Sequence, residues 1–584
     1  MLDTVIKGGK LYDGLGGAPV LADIGIKDGR IAEIAAAITS PAREVFDAAG
    51  AIVTPGFVDV HTHYDGQVCW DDQIDPSASH GVTTVVMGNC GVGFAPVPPG
   101  GEHDLIAVME GVEDIPGTAL YEGIDWGAWE SFPEYLDYLG AREYALDISA
   151  QIPHAALRNY VMGERGRANE AATAEDMARM AELVEEGLAA GAVGFSTSRT
   201  IGHRSVHGVP IPGTFAADDE VMMLAEAMGR AGRGVFELIP AGTIGELKAL
   251  GGEHHSLSDE VDLLDRVAHV SRRPVTFTLI QTDESPQLWR DMLDKVEAAN
   301  AADSRLFPQV ASRPIGIVTN IATYHLFERR PSYMAIAALP VAERLAEMHK
   351  PDVRTAILSE TDVPTTATAL SANAFRIFRG TAPRMYAIEQ PIDYEPDDTL
   401  SFAALAAAAG QNDEEFLYDF LIGNHGRNFA IVLGANYHAR NFDVIHEMLT
   451  HPDTVTGLSD AGAHVNMIFD GVAPTYQLIH WSRDRSRGEQ IPLEYIVAKQ
   501  TKRNADLYGM NDRGSIEPGK RADINVIDFD RLALGPLEVR RDLPAGGSRI
   551  LQPASGYRAT WVNGVMTRRN DQDTGARPGR LVRG

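Results

Sequence analysis

The chain has 584 residues, 44% of them hydrophobic and 23% charged, a globular balance that excludes an intrinsically disordered protein. Asp and Glu number 81 against 51 Lys and Arg, a formal net charge of −30, which argues against a nucleic-acid or anionic-membrane partner because phosphate binding wants a basic face. At about 150 residues per domain the length allows roughly four units, but single barrels run to 250 residues or more, so two domains are expected. Cys69 and Cys90 are the only cysteines, too few for a disulfide framework. No apolar run of about 18 residues is present to span a membrane. The opening MLDTVIKGGKLYDG lacks the layout of a signal peptide. A cytoplasmic enzyme is the expectation.

Residues 3–7, 22–27 and 30–35 read as short strands, with Asp28-Gly29 as a hairpin turn. Residues 521–528 and 559–567 behave alike, with Asn563-Gly564 as the turn. These β-rich ends predict one small sheet domain built from 1–54 and 507–584. Between them, over 55–506, strand-like runs recur at 52–60, 82–87, 146–152, 192–196, 234–239, 275–280, 354–358 and 454–459. Amphipathic helical stretches separate them, as at 173–190, where Thr173 and Asp176 form a weak relative of a capping box. Buried strands alternating with helices predict a parallel α/β barrel. The segment 285–450 is harder to parse, is partly helical (400–421, 438–450) and is read as holding an insertion. The apolar stretch at 400–410 suits the core or a second copy, so a homo-oligomer is open.

The strongest chemical signal is Pro55-Gly56-Phe57-Val58-Asp59-Val60-His61-Thr62-His63. Residues two apart in a strand share a face, so His61 and His63 can aim at one ion, and neutral imidazole suits zinc and related metals. The alternative is two polar residues at a strand end. Next comes the run from Gly81 to Met87 ending in Gly88-Asn89-Cys90-Gly91. A thiolate is a strong zinc ligand, and flanking glycines let backbone approach closely; the alternative is a small buried residue in a tight turn. Cys69, beside Trp70, reads as packing. Third is Gly457-Leu458-Ser459-Asp460-Ala461-Gly462-Ala463-His464. Asp460 at a late strand end can ligate metal and also carry a proton for water and leaving group; the alternative is an N-cap. His464 can orient Asp460 or meet substrate.

Together PGFVDVHTH, GVTTVVMGNCGVGFAP, GLSDAGAH, the late RGSIEPGKRAD and the ending VNGVM…TGARPGR resemble the amidohydrolase superfamily, and within it the D-aminoacylase (N-acyl-D-amino-acid deacylase) branch. HTHYDGQ and EDIPG are similar to a mycobacterial-type group of that branch. The resemblance implies a distorted (β/α)₈ TIM barrel with a small β-sandwich from both chain ends, one or two zinc ions, and hydrolysis of an N-acyl amide by activated water. It assigns His61, His63, Cys90 and Asp460 as metal ligands, with Asp460 also the general base and acid.

One departure stands out. The family carries two more histidines on middle strands, whereas the matching strands here end in Phe236-Glu237-Leu238-Ile239 and Thr278-Leu279-Ile280-Gln281. Glu237, Gln281, His203 and His207 are the replacements considered. A substrate carboxylate would want an arginine fork, for which Arg199 and Arg313 are candidates; His203, Gln281 and His464 complete the candidate substrate-binding set. Asn424-His425 and Tyr437-His438 are candidate lid residues. The expected activity is deacylation of small N-acyl-D-amino acids. The alternatives are another amidohydrolase reaction, on a cyclic amide, a lactone or an unusual acyl amide, and a non-catalytic barrel scaffold.

Overall fold

The computed structural model describes residues 1–367, 370–390 and 392–584. Eight parallel strands follow one another around a nearly closed barrel: β1 (Phe57–Asp59), β2 (Val82–Met87), β3 (Asp147–Pro153), β4 (Gly194–Ser198), β5 (Val235–Ile239), β6 (Val275–Thr278), β7 (Leu306–Val310) and β8 (Val455–Thr456). Their β-branched and aromatic residues are buried on both faces, as strands flanked by helices require. The seam between β8 and β1 carries one backbone bridge, Thr62 with Ala461. Asn504 spans the rest: its side-chain amide donates to Val58 O at 2.8 Å and to Thr456 O at 3.0 Å.

Helices return the chain between strands. Thr173 caps the helix Ala174–Ala190 in a full capping box with Asp176, and Gly191 in the left-handed region ends it. Among the described residues no helix is long and apolar enough to cross a membrane.

The expected run at 52–60 divides at Gly56. Ile52–Pro55 pairs antiparallel with Ile524–Ile527, and Phe57–Asp59 enters the barrel. A Cβ at Gly56 would lie 2.1 Å from Thr83 Oγ1, so only glycine lets the chain cross there. Strands from both termini join in one nine-stranded sheet. Leu2–Leu11 pairs with Val20–Lys27 along its length, with Ala42–Asp47 over its first part and with Ile52–Pro55 at its end, which curls the sheet around a core of Ile6, Ile24, Phe46, Val53, Val526 and Trp561.

The expected strand at 354–358 is a helix, Pro351–Ser359. Pro at its first turn pre-sets helical φ, and only Ile357 of that helix is buried, so the short apolar run could not declare its period. The true seventh strand, Leu306–Val310, is masked in sequence by Pro308, which lacks a strand donor. Between β7 and β8 lies a three-stranded antiparallel sheet, Gly316–Thr319, Met385–Ile388 and Phe429–Leu433, with the last in the centre. It carries its own core of Ile321, Phe327, Met348, Phe378, Leu417 and Val432.

Asp147, at the start of β3, holds the terminal sheet to the barrel. Its carboxylate pairs with Arg513 and Arg521, each at 2.7 Å, and accepts from Arg580 N at 2.8 Å. Arg513 also donates to Thr84 Oγ1. Removing one partner of a buried pair leaves the other charge uncompensated. Asp147→Ala is therefore expected to destabilise the protein by about 3 kcal/mol, read as a lowered midpoint in chemical denaturation; an unchanged midpoint would mean that the pairing at Asp147 contributes nothing.

Candidate metal centre

His61 and His63 leave β1, Cys90 leaves β2 and Asp460 leaves β8, so all four stand at the carboxyl ends of barrel strands, where such barrels place their sites. His61 Nε2 lies 3.4 Å from Cys90 Sγ and 3.3 Å from Asp460 Oδ1. His63 Nε2 lies 3.8 Å from Cys90 Sγ and 3.9 Å from Asp460 Oδ1. The ligand atoms of His61, His63 and Cys90 fall within 4.8 Å of one another. Cys90, Asp460 and His464 all adopt left-handed φ, at 57°, 45° and 49°, the kind of costly backbone that clusters at functional sites. At Gly91, φ is +71° and a Cβ would sit 2.9 Å from Thr197 Cα, so the close approach expected beside Cys90 is present.

Two residues not among the candidate site residues complete the cluster. Gln309 Oε1, from β7, lies 2.8 Å from His61 Nδ1. Accepting that N–H leaves Nε2 with its lone pair toward Cys90 and Asp460. Glu113 closes the helix Glu102–Glu113, and its Oε2 lies 3.4 Å from His63 Nε2 and 3.6 Å from His464 Nε2. Glu113 belongs to the EDIPG motif; a glutamate ending an apolar helix face was the signal available. Glu237, on β5, accepts from Cys90 N at 3.2 Å.

Burial sets the protonation of these groups. It drives His61 down to about 4 and, with His61, His464 and His203 nearby, His63 well below the usual imidazole range. It pushes the Cys90 thiol well up, helped by Glu113, Glu237 and Asp460. Burial raises Glu113 and Glu237 well above the carboxylate range, with Asp460 adding repulsion to each. Asp460 rises to about 6 by burial, with His464 pulling the other way. Among the described residues no lysine or arginine pairs with Asp460, Glu113 or Glu237; the ion pairs of Asp460 and Glu113 are to histidines alone. Glu113 Oε1, Glu237 Oε1 and His63 Nδ1 are buried without a hydrogen-bond partner. Imidazoles, a thiol and carboxylates with no organic cation to balance them form a donor set that fits a borderline-soft divalent ion such as zinc.

The remaining candidates separate. His203 comes to the centre: its Nδ1 is 2.9 Å from Ser198 Oγ, and burial with His464 and His61 nearby lowers it to about 3. His464 is in the cluster. His207 is exposed. The Arg199 guanidinium meets Glu260 at 2.9 Å, Ala216 O at 2.6 Å and Asp218. Arg313 pairs with Asp470 through Nε at 2.7 Å and stacks 4.2 Å over Phe469. A buried guanidinium demands such a counter-ion, which the sequence did not reveal. Gln281 serves the loops, donating to Pro286 O and accepting from His438 N. Cys69 packs in the core, its thiol raised to about 12 by burial. Asn424 and His425 line a cavity of about 890 Å³ against Pro536–Val539 that no residue of the centre reaches.

Histidines, a cysteine and carboxylates meeting at the carboxyl end of an eight-stranded barrel define a hydrolase built around a metal. Residues 44–568 match the amidohydrolase family, and the chain belongs to that family. A D-aminoacylase of Alcaligenes xylosoxydans xylosoxydans is 37% identical over 199 residues, 33% of this chain and 37% of that one. An uncharacterised protein of Mycobacterium tuberculosis is 28% identical over 558 residues, 90% of this chain and 84% of the other. A solved D-aminoacylase aligns over 100% of both chains with a TM-score of 0.65 at 24% identity. An N-acyl-D-glutamate deacylase of Bordetella bronchiseptica, solved with zinc and a phosphonate inhibitor, does so at 0.64 and 23%. These structures share the fold.

Partners behind a metal-binding histidine tune affinity by 10–100-fold. Gln309→Leu is expected to weaken metal binding by at least about 10-fold in competition with a chromophoric chelator. Unchanged affinity would remove Gln309 from the centre.

Proposed function

We propose that this chain is a zinc-dependent deacylase that cleaves N-acyl-D-amino acids, or closely related small amides, to a carboxylate and a free amine. The observation that carries the reading is the convergence of His61, His63, Cys90 and Asp460 on one buried point. The deacylase names of the relatives and the zinc in the Bordetella structure support it. His61, His63 and Cys90 would hold the ion, with Asp460 beside them. Bound there, a divalent ion would acidify a water and polarise the substrate carbonyl.

The protein groups do the proton work. The Asp460 side chain is 18% exposed where His61 and His63 are sealed, so it is the open member of the set. It takes the proton of the attacking water and returns it to the leaving nitrogen. Burial raises its carboxyl to about 6. Gln309 fixes the His61 tautomer throughout. His203, held by Ser198, and His464 flank the centre as donors for the substrate carbonyl or acyl oxygen.

A second reading, an amide without a free carboxylate, is favoured by one observation. Arg199, an expected carboxylate clamp, pairs with Glu260, and Arg313 pairs with Asp470 through Nε and Nη2. Amine release from a panel of N-acyl D- and L-amino acids and uncharged amides separates the two. Asp460→Asn is expected to lower turnover by at least about 100-fold with metal content unchanged. Near-normal rates in that variant would refute its role. Turnover of uncharged amides alone would select the second reading. Removing metal with a chelator is expected to abolish activity, and adding zinc back to restore it.

A further inference from the structure

A cavity of about 550 Å³ opens at the amino ends of β7 and β8, on the side of the barrel away from the metal centre. Its floor is apolar. Val455 and Leu507 belong to the cluster that fills this end of the barrel with Val58 and Val235, and Phe307 packs against that cluster. Tyr495 also lines the cavity, and Leu15 stands at its lip, 53% exposed. The loop that carries Leu15 is pressed down at Gly14, where φ is +87° and a Cβ would lie 2.5 Å from Gly514 O. The volume falls in the range of small-molecule pockets, about 300–1,000 Å³.

The rim is cationic. Arg305, Lys499, Lys502 and Arg503 line the cavity against one carboxylate, Asp506, and Lys502 pairs with it. Among the described residues Arg305 and Arg503 make no ion pair and no side-chain hydrogen bond. Two guanidiniums without a counter-ion in one cavity set a local positive potential against the net charge of −30. Lys499 is 2% exposed. Its Nζ donates to His451 O at 2.9 Å and to Thr454 Oγ1 at 2.8 Å, which leaves one of the three ammonium N–H groups uncommitted. Burial holds this lysine well below its usual range, with Arg503 adding repulsion and Asp453 pulling the other way. An anion in the cavity would relieve both the burial and the repulsion. Lys499, Lys502 and Arg503 share one wide turn, Lys499–Arg503, wound as a π-helix, a conformation that recurs at functional sites.

We propose that this cavity is a binding site for a small organic anion, a carboxylate that carries an apolar chain. Arg305 and Arg503 offer planar forks that match a carboxylate, and Lys499 adds its uncommitted N–H. The chain would cover Phe307, Tyr495 and Leu15. An inorganic anion would leave those apolar walls wet, and a neutral apolar molecule would leave the guanidiniums unpaired. None of the lining residues belongs to the metal centre. The residue after the turn, Asn504, bonds β1 and β8 across the barrel seam, so an occupant would rest beside the contact that closes the barrel.

The site stands apart from the metal-centre reading and is tested by binding, not turnover. Octanoate, acetate and inorganic phosphate are titrated separately into the metal-loaded protein by calorimetry. Octanoate is expected to bind at least about 10-fold more tightly than acetate or phosphate, because its chain buries apolar surface. Arg305→Ser and, independently, Arg503→Ser are expected to weaken octanoate at least about 10-fold, the loss of one charge-assisted hydrogen bond, with metal content and melting midpoint unchanged. Arg305 is exposed and Arg503 half-buried, so neither substitution empties a core position. Octanoate that does not bind, that binds no more tightly than acetate and phosphate, or that binds both variants as tightly as wild type would overturn the site and leave the metal-centre reading standing.

Discussion

Two imidazoles, a thiol and several carboxylates are packed together where water cannot solvate them, and the rest of the structure accommodates that concentration. Each buried charge costs several kcal/mol unless it is paired. Here no lysine or arginine pairs with Asp460, Glu113 or Glu237 among the described residues. On the proposed reading a divalent cation would supply the balance and let the groups stay so close. Their spacing is imposed from outside the cluster, by Gln309 on His61, by the Cys90 amide donating to Glu237, and by three residues in left-handed backbone. That backbone persists because the surrounding strands over-determine it.

The two ends of the barrel have different tasks. At the amino ends of the strands the terminal sheet and the final residues close the barrel through Asp147, the tail bridges Tyr144–Gly579 and Ile148–Leu581, and Asn525 donating to Gly81 O. These contacts involve no group of the centre and secure the frame. At the carboxyl ends the segment between β7 and β8 leans on the centre's loops. Val318 N donates to Met467 O at 2.8 Å, Tyr324 reaches Asp114, and Arg313 grips Asp470. The long insertion thus packs on the turns that present His464 and Glu113. Variation in it would be felt at the centre without any of its residues joining the cluster.

Much of this was legible in the chain. His61, His63, Cys90 and Asp460 announce themselves because each follows an apolar strand closely, and strand periodicity fixes which way a side chain points. The terminal strands were readable from their turns. Errors arose where local pattern was short or contradicted. Residues 354–358 are too few to distinguish a helix from a strand, and Pro308 hid β7. Arg199 and Arg313 looked like free forks because the carboxylates that occupy them, Glu260 and Asp470, lie 61 and 157 residues away in sequence.

The sequence by itself determined the class of chemistry. Residue types at strand ends depend only on local order, and local order is what a chain carries openly. It also determined that the ends would make a sheet and the middle a parallel barrel. Tertiary structure decided which further groups join the centre. Glu113, Gln309 and Glu237 come from a helix end and two strand interiors, and only closure of the barrel brings them to His61, His63 and Cys90. It decided too which carboxylates meet the two arginines, Glu260 at Arg199 and Asp470 at Arg313, because a guanidinium buried by folding needs a counter-ion.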